Sequence, residues 1–421
     1  MDKIEISGGN PLVGKIPISG AKNAALPIMA ATLLTNSKLE LNNIPELSDI
    51  NSMIRLLQSL NSKIQVKSGK ITIKSHKPKH FIASYDLVRK MRASFLVLGP
   101  LLSRYGEAKV SLPGGCAIGA RPIDIHLKGF ENMGVNFVIK DGYVIGKVKK
   151  HLKGAKICLP CKSVGATENL LMAATLAEGK TIIVNAAQEP EIVDLGKCLK
   201  LMGAKIRGLG TSKITINGVK KMIGCNYKIM PDRIEAGTYL LAVLGCSGRV
   251  ELQNLSNEVI QNLLNTFAQF KDLDLERKSN TCLIVNFSKK IYEGINIKTQ
   301  PFPGFPTDLQ AQLSAVMTRA KGLSIIEESI FENRFMHVAE LQRMGANILI
   351  EGSKVIIKGK KKIFGAQLMA TDLRASSSLI IAGLMAEGKT TINRVYHLDR
   401  GYEKIEKKLS KCNVNIKRIK G

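Results

Sequence analysis

Residues 338–348 read VAELQRMGANI, and this segment decides the fold because copies of it recur along the chain. Its apolar residues Val338, Leu341 and Met344 are spaced at i, i+3 and i+6, a pattern that indicates an amphipathic helix. Gly345 follows at the place where a left-handed helix C-cap is required. The segment therefore predicts a helix, a sharp turn and a strand that begins near Ile348.

The other copies repeat this helix end and the strand after it. They are Leu60–Ile64, Met133–Phe137, Met202–Ile206, Lys271–Leu275 and Cys412–Ile416. In each of them Gly, Asn or Asp, including Asp272, occupies the C-cap position. Three upstream segments, 173–187, 242–256 and 382–396, also match one another as helix, Gly turn and strand. Six copies at a period of about 70 residues predict a symmetric α/β architecture whose unit holds several strands and two helices.

Length and composition limit the class of protein. A chain of 421 residues predicts two or three domains, and a hydrophobic content of 45% is typical of a soluble globular protein. The N-terminal residues lack the apolar core of a signal peptide, and the apolar stretches Tyr239–Cys246 and Leu379–Met385 are far shorter than the ~20 residues of a membrane span. The eight cysteines are scattered, which suits a reducing compartment. We therefore expect a cytoplasmic protein with no membrane partner.

The formal charge of +28 permits two interpretations. A basic surface attracts nucleic acid regardless of sequence, so a nucleic-acid-binding scaffold is one alternative. However, the basic runs Lys147–Lys150, Lys358–Lys362 and Lys404–Lys420 are dispersed, Trp is absent, and no nucleic-acid-binding motif accompanies them. A basic enzyme with anionic substrates fits better.

The densest candidate site is a Gly-rich segment, residues 113–126, that surrounds Cys116. Glycines allow the backbone to approach a ligand closely, and Arg121 would bind phosphate or carboxylate and lower the pKa of a nearby thiol. Cys116 could then act as a general acid or as a nucleophile. Cys158 and Cys161 form a C-x-x-C pair, but the sequence offers no second ligand pair, so we expect no metal site.

Further candidates stand where helices are predicted to begin. Lys22 in GAKNAALP and Ser163 in SVGAT fit anion binding at a helix N-terminus, although Ser163 also fits an ordinary N-cap. Asp308 and Asp372 could be helix caps or catalytic carboxylates. Arginines stand in four polar clusters ahead of apolar helices: Arg92, Arg334, Arg374 and Arg400. This many separate cations indicate a multiply anionic substrate, so these residues alone predict a transferase that acts on phosphorylated substrates.

Ten motifs in order along nearly the whole chain resemble the UDP-N-acetylglucosamine 1-carboxyvinyltransferase family. They are GAKNAALPI, MRAS, LPGGCAIGARPIDIH, SVGAT, NAAQEPEIVDL, PDRIEAGT, FPTDLQAQ, FENRFMH, ATDLRAS and YHLDRGYE. The resemblance implies two similar inside-out α/β domains, each of three β-α-β-α-β-β repeats, with the active site in the cleft between them. One domain is expected to be discontinuous, residues 1–21 plus 231–421, and the other to span residues 22–230 and carry the Cys116 loop.

The resemblance also implies the roles of individual residues. Cys116 is expected to protonate C3 of phosphoenolpyruvate and to be alkylated by fosfomycin, while Lys22, Arg121 and Arg400 hold that substrate. Asp308 is expected to take the proton of the sugar 3'-hydroxyl or to accept the proton of the last step. The positions expected to contact the UDP-sugar are Asn23, Arg92, Arg121, Pro122, Ile123, Asp124, Ile125, Ser163, Val164, Gly165, Asp308 and Ile330. Arg334, Asp372 and Arg374 complete the expected substrate-binding set, the last two by positioning their neighbours.

The implied reaction transfers the enolpyruvyl group of phosphoenolpyruvate to the 3'-hydroxyl of UDP-N-acetylglucosamine, with release of phosphate, at the first committed step of peptidoglycan synthesis. No metal or organic cofactor, no nucleic acid and no membrane is expected, and the protein is expected to be a monomer. The nearest alternative is the shikimate 3-phosphate enolpyruvyl transferase, which shares the fold and the chemistry. The Cys116 loop favours the UDP-sugar enzyme over it.

Overall fold

A computed structural model describes residues 2–112, 123–289 and 291–421 of the chain. These residues divide into two compact units. Unit 1 contains the described residues up to Ser19 together with those from Pro231 to Gly421, and unit 2 contains the described residues from Gly20 to Met230. Three predicted site residues, Cys116, Arg121 and Pro122, lie outside the described residues.

The strands are short and are distributed along the whole described chain. They are β1 (Lys3–Ser7), β2 (Leu12–Pro17), β3 (Leu39–Asn42), β4 (Ser62–Lys67), β5 (Lys70–Ser75), β6 (Ile82–Ala83), β7 (Glu107–Ser111), β8 (Val135–Lys140), β9 (Tyr143–Val148), β10 (Lys156–Cys158), β11 (Lys180–Val184), β12 (Lys205–Arg207), β13 (Lys213–Asn217), β14 (Asn226–Lys228), β15 (Gly248–Gln253), β16 (Asp274–Ser279), β17 (Cys282–Phe287), β18 (Asn296–Lys298), β19 (Leu323–Glu327), β20 (Asn347–Glu351), β21 (Lys354–Lys358), β22 (Gln367–Met369), β23 (Lys389–Asn393) and β24 (Asn415–Ile419).

Helices alternate with these strands. They are α1 (Lys22–Ala31), α2 (Ser48–Ser59), α3 (Tyr85–Val88), α4 (Leu98–Tyr105), α5 (Asp124–Glu131), α6 (Val164–Ala174), α7 (Pro190–Leu201), α8 (Arg233–Cys246), α9 (Asn257–Phe267), α10 (Gln310–Met317), α11 (His337–Arg343), α12 (Leu373–Met385) and α13 (Ile405–Leu409), with short 3₁₀ helices at Thr32–Leu34, Arg92–Val97, Thr307–Leu309 and Val395–Arg400. None of the helices in the described ranges is long and apolar enough to span a membrane.

Within the described residues the strands form six four-stranded sheets of one topology. Their orders are β14-β3-β5-β4, β6-β7-β9-β8 and β10-β11-β13-β12 in unit 2, and β2-β15-β17-β16, β18-β19-β21-β20 and β22-β23-β1-β24 in unit 1. In each order the first two strands are parallel and the later neighbours are antiparallel. The predicted α/β fold of six repeats is therefore confirmed.

Three of these sheets are completed by strands that are remote in sequence. Strand β2 pairs with β15 and so completes the first repeat of unit 1. Strand β1 lies between β23 and β24, so the N-terminal segment completes the last repeat of unit 1. Strand β14 pairs with β3, so the end of unit 2 completes its first repeat. Because each pairing satisfies the backbone groups of an otherwise open sheet edge, each unit is closed by its own terminal strand.

Helices in the centre of each unit are buried on nearly all sides. In unit 1 helices α8, α10 and α12 pack on one another, and in unit 2 helices α4 and α6 do so, with α1 against α6. Their sequences are mostly apolar on all faces, and the polar residues that they bury include Glu168, Gln312 and the serines of α12. The serines buried in α12 satisfy their hydroxyls within the helix, since Ser377 Oγ donates to the Arg374 carbonyl at 3.0 Å.

The predicted C-caps are mostly correct. The residues with a left-handed backbone after a repeat helix are Asn61, Gly134, Gly203, Gly345 and Asn413. The prediction for Asp272 is wrong, because α9 already ends at Phe267 and two consecutive turns connect it to β16. In these turns the N–H of Phe270 donates to the Phe267 carbonyl and the N–H of Leu273 to the Phe270 carbonyl, both at 3.0 Å.

Candidate active site

The predicted site residues of unit 2 that the structure describes stand at the beginnings of helices. Lys22 and Asn23 begin α1, Arg92 begins a 3₁₀ helix, Ile123 precedes Asp124 and Ile125 at the start of α5, and Ser163 precedes Val164 and Gly165 at the start of α6. A helix N-terminus has unpaired N–H groups and the positive end of the helix dipole. This placement suits the binding of anionic groups.

The exposure of these residues differs from that of the helices that carry them. Asn23 is the exposed residue of α1, whose other nine residues are buried. Val164 begins helix α6, which is buried from Ala166 to Ala174, and is 37% exposed. Ser163 caps α6, because its hydroxyl accepts a hydrogen bond from the N–H of Ala166 at 3.3 Å. The cap interpretation of Ser163 is therefore correct, and the exposed Val164 stands directly after it.

Lys22 forms a buried ion pair that the sequence did not predict. Its Nζ atom lies 3.0 Å from Oδ2 of Asp49, and the two side chains are only 11% and 5% exposed. Asp49 stands in the first turn of α2, where an acidic residue commonly interacts favourably with the positive end of the helix dipole. The sequence therefore carried no specific signal for its pairing with Lys22. The carboxylate holds the ammonium group of Lys22 in one direction.

His126 connects three of the helix starts in unit 2. Its ring packs edge-on against Phe95 at 5.3 Å, lies beside Gly165, and accepts a hydrogen bond at Nδ1 from the amide of Asn169 at 3.3 Å. Burial, together with the positive charge of Arg92, lowers the pKa of His126 to about 4. The imidazole is therefore neutral near pH 7, and its proton is on Nε2.

In unit 1 the structure brings Asp308, Arg334 and Arg374 into direct contact. Nη2 of Arg334 donates to Oδ1 of Asp308 at 2.5 Å, and Nη2 of Arg374 donates to Oδ2 at 2.8 Å. The two arginine side chains are 5% and 7% exposed, whereas the Asp308 side chain is 25% exposed. The carboxylate is thus held from the protein side and remains partly exposed.

The charges around Asp308 decide its protonation. Burial alone would raise the pKa of this carboxyl, but Arg374 and Arg334 outweigh that effect and hold the pKa well below its usual value. Asp308 is therefore ionised at any pH near neutrality. Such a carboxylate is a strong hydrogen-bond acceptor and a weak base toward a free hydroxyl.

Arg374 is itself oriented by a buried hydroxyl cluster. The hydroxyl of Tyr402 lies 3.1 Å from Nη1 of Arg374, 2.8 Å from Oγ1 of Thr238, 3.1 Å from Nε2 of Gln312 and 3.2 Å from Oγ of Ser377. Tyr402 stands in the motif YHLDRGYE, but nothing in the sequence assigned it a role. Its role depends on contacts between residues that are far apart in sequence, so no local pattern reveals it.

Glu328 is a second residue of this group that was not predicted from the sequence. Its Oε2 accepts a hydrogen bond from the Thr307 hydroxyl at 2.7 Å, and that hydroxyl accepts one from Nη1 of Arg334 at 2.8 Å. Strand alternation from the buried Ser324 and Ile326 of β19 points residue 328 to the same buried face. However, Leu323 and Ile325 make the other face just as apolar, so the sequence alone did not reveal which glutamate faces inward.

The other predicted residues of unit 1 lie near this group. Asp372 is the N-cap of α12, and its Oδ1 accepts from the N–H groups of Arg374 and Ala375 at 2.8 and 3.1 Å. Ile330 donates its backbone N–H to Oε1 of Glu328 at 2.8 Å. Arg400 ends a 3₁₀ helix that packs against α12.

The described residues thus form two groups, one in each unit. Those of unit 2 present helix N-termini and a buried lysine, and those of unit 1 present an ionised carboxylate between two arginines. Both sets suit anionic substrates that carry a hydroxyl, since N–H groups and cations bind phosphate and a carboxylate accepts from a hydroxyl. Within the described ranges no three His, Cys, Asp or Glu side chains are grouped as metal ligands.

Comparison with known proteins places the chain among enolpyruvyl transferases. Residues 6–409 match the model of the EPSP synthase (3-phosphoshikimate 1-carboxyvinyltransferase) family. The structure superposes on the enolpyruvyl transferase NikO from Streptomyces tendae with a TM-score of 0.88 at 22% identity, over 99% of this chain and 98% of that one. This second likeness shows the fold.

Sequence relatives define the membership more narrowly. The chain is 50% identical over 421 residues to the UDP-N-acetylglucosamine 1-carboxyvinyltransferase of Shewanella amazonensis and 51% identical over 423 residues to that of Granulibacter bethesdensis, and each match covers 100% of both chains. The chain belongs to the UDP-N-acetylglucosamine 1-carboxyvinyltransferase family, as the ten motifs predicted. It is therefore a transferase.

Proposed function

We propose that this protein transfers the enolpyruvyl group of phosphoenolpyruvate to the 3'-hydroxyl of UDP-N-acetylglucosamine and releases phosphate, the first committed step of peptidoglycan synthesis. The observation that carries the proposal is the identity of about half of all residues, over the full length of both chains, with relatives that bear the name of this transferase. The ionised Asp308 between two arginines supports it, because the acceptor substrate must present a hydroxyl.

The chemistry is an addition followed by an elimination. The sugar oxygen bonds to C2 of phosphoenolpyruvate while C3 takes a proton, which yields a tetrahedral intermediate. The intermediate then loses a proton from C3, the carbon–carbon double bond forms again, and the bond between C2 and the phosphate oxygen breaks. The leaving phosphate requires cations.

We assign the proton transfers to Cys116 and Asp308. Cys116, on the Gly-rich segment, is the donor to C3, as the family resemblance implies, and the thiolate that it leaves takes up the proton that C3 loses in the elimination. Asp308 takes the proton of the 3'-hydroxyl. Because its pKa is held low, this transfer becomes favourable only as the oxygen–carbon bond forms and the hydroxyl oxygen gains positive charge. Asp308 therefore first orients the hydroxyl and accepts its proton late.

We assign phosphoenolpyruvate to Lys22, Arg121 and Arg400. Lys22 is consistent with this role because Asp49 fixes its ammonium group at the start of α1, where the helix dipole adds positive potential. The positions predicted to contact the UDP-sugar bind it, and the exposed Asn23 and Val164 support this assignment. Arg334 completes the substrate-binding set, and Asp372 and Arg374 position their neighbours.

The same proposal covers the wider setting of the protein. We propose one domain of residues 1–21 plus 231–421 and a second of residues 22–230, and a protein that works as a monomer in the cytoplasm without a cofactor. Both substrates are small anionic molecules, so the high positive charge of the chain needs no nucleic-acid partner.

Phosphate release from phosphoenolpyruvate, measured with and without UDP-N-acetylglucosamine, tests the reaction. We expect release only with the UDP-sugar, and its loss in Cys116→Ala and after fosfomycin treatment. Cys161→Ala is the matched control, since Cys161 is an exposed free cysteine with no assigned role. Release with shikimate 3-phosphate in place of the UDP-sugar would contradict the assigned acceptor.

A further inference from the structure

We infer that Glu328 is a positioning residue that sets the direction of the Arg334 guanidinium on Asp308 and fixes the adjoining segment Ile330–Phe331. This inference rests on the proposed function, because Asp308 is the group through which Glu328 would act. None of the ten family motifs includes Glu328, which lies three residues before FENRFMH.

The Glu328 carboxyl is almost completely enclosed and receives only donors in its described contacts. The residue is 3% exposed. Its Oε1 accepts the backbone N–H groups of Ile330 at 2.8 Å and Phe331 at 3.1 Å, and its Oε2 accepts the hydroxyl of Thr307 at 2.7 Å. A buried carboxyl with three donors fixes each of these groups in place.

The contact with Thr307 gives its hydroxyl a direction. A hydroxyl has one proton, and here that proton points to Glu328. The lone pairs of the oxygen therefore face Nη1 of Arg334, which lies 2.8 Å away. Without Glu328 the proton could turn toward the guanidinium, and the hydroxyl would lose its ability to accept from it.

The hydrogen bond from the Phe331 N–H to Glu328 also affects the position of Arg334. The guanidinium carbon of Arg334 lies 5.0 Å from the centre of the Phe331 ring. Because Glu328 holds the N–H of Phe331, it restrains the ring on which Arg334 packs. Arg334 then donates from Nη2 to Asp308. Glu328 thus controls two of the contacts that aim Arg334.

Kinetics of Glu328→Gln test this role. The variant amide has one oxygen, which cannot accept from both Thr307 and the Ile330–Phe331 segment. We expect kcat to fall by about 100-fold, the size typical of a small misplacement of a catalytic group, with a smaller change in KM for phosphoenolpyruvate. Glu327→Gln is the matched control, because this neighbouring glutamate forms surface ion pairs with Lys298 and Lys354. Its kcat should equal that of the wild type.

A double-mutant cycle separates a relay from a purely structural role. Thr307→Val removes the hydroxyl at constant shape, and Thr307→Ser keeps it. If Glu328 acts through Thr307, the double variant of Glu328→Gln and Thr307→Val should be only slightly less active than the less active of the two single variants. Thr307→Ser should stay within a few-fold of the wild type, and this pair of Thr307 variants tests the relay even if Glu328→Gln fails to fold.

The outcomes are distinct. Three results would each overturn the positioning role and leave the proposed function intact. They are a wild-type kcat in Glu328→Gln, a loss in the double variant equal to the product of the two single losses, and equal activities of Thr307→Val and Thr307→Ser. A wild-type enzyme that releases no phosphate from the two proposed substrates would overturn the proposed function, and the role of Glu328 with it.

Discussion

The Nη2 atom of Arg374 lies 2.8 Å from Oδ2 of Asp308, although 66 residues separate them in the chain. Arg374 also donates from Nη1 to the hydroxyl of Tyr402 at 3.1 Å, so its planar guanidinium joins the carboxylate to the buried hydroxyl cluster. Guanidinium geometry permits both contacts at once. This relationship makes Asp308 a fixed acceptor and provides the first prediction.

Arg374→Lys should lower kcat/KM by about 100-fold, because a single ammonium group cannot hold Asp308 and Tyr402 together. Steady-state kinetics of phosphate release measure the effect. Arg343→Lys is the control, since the side chain of Arg343 is 58% exposed at the surface. Full activity of Arg374→Lys would show that the guanidinium fork is not needed.

Asp308 should make stability depend on pH in the acid range. Its pKa is lower in the folded state than the value of about 3.9 in the unfolded chain, so its stabilising effect is complete above that value and is lost as pH falls through the folded pKa. Asp308→Asn should lower the free energy of unfolding by about 3 kcal/mol at pH 7 and by less near pH 3. Urea unfolding at both pH values tests this, and an equal loss at both would contradict it.

Breaking the Lys22–Asp49 pair should be costly. Asp49→Asn leaves the buried ammonium group of Lys22 without its counter-charge, and we expect a loss of about 3–5 kcal/mol in unfolding free energy. Adding Lys22→Met should recover part of that loss, because the uncompensated charge is then gone. Strictly additive losses in the double variant would show that the two side chains are not coupled.

Tyr402→Phe should destabilise the protein by about 1–3 kcal/mol, because it leaves the buried partners of the hydroxyl unsatisfied. Tyr396→Phe, at a tyrosine that is 50% exposed, should change stability by less than about 0.5 kcal/mol. Thermal and urea unfolding of both variants provide the comparison. Equal stability of the two variants would argue against the cluster.

Two buried histidines should stay neutral until the solution is strongly acidic. Burial lowers the pKa of both His126 and His337 to about 4, against about 6.5 in an unfolded chain. The unfolded state therefore binds more protons between these values, and the free energy of unfolding should fall as pH decreases from 6.5 to 4. NMR titration of the histidine ring protons checks this directly. A ring assigned to His126 through His126→Gln that titrates near pH 6.5 would contradict it.

The local sequence pattern was sufficient to predict the repeat and most of the ends of its helices and strands. Helix periodicity, a Gly or Asn cap and the following strand recur in the sequence, and the described residues show the same order at Met133–Phe137 and Met344–Ile348. These features depend on contacts within one or two turns of the chain, which sequence spacing encodes directly. The cap prediction failed at Asp272, where extra residues after α9 replace the left-handed turn.

The sequence by itself thus determined the α/β architecture of six repeats, the helix starts that carry Lys22 and Ser163, and, through full-length identity with relatives, the family. Only the tertiary structure decided that Asp308 meets Arg334 and Arg374, that Lys22 pairs with Asp49, and that Glu328 rather than Glu327 faces inward. The physical reason is that a side chain's charge state and direction depend on burial and on partners tens of residues away, whereas local spacing specifies only the element on which that side chain stands.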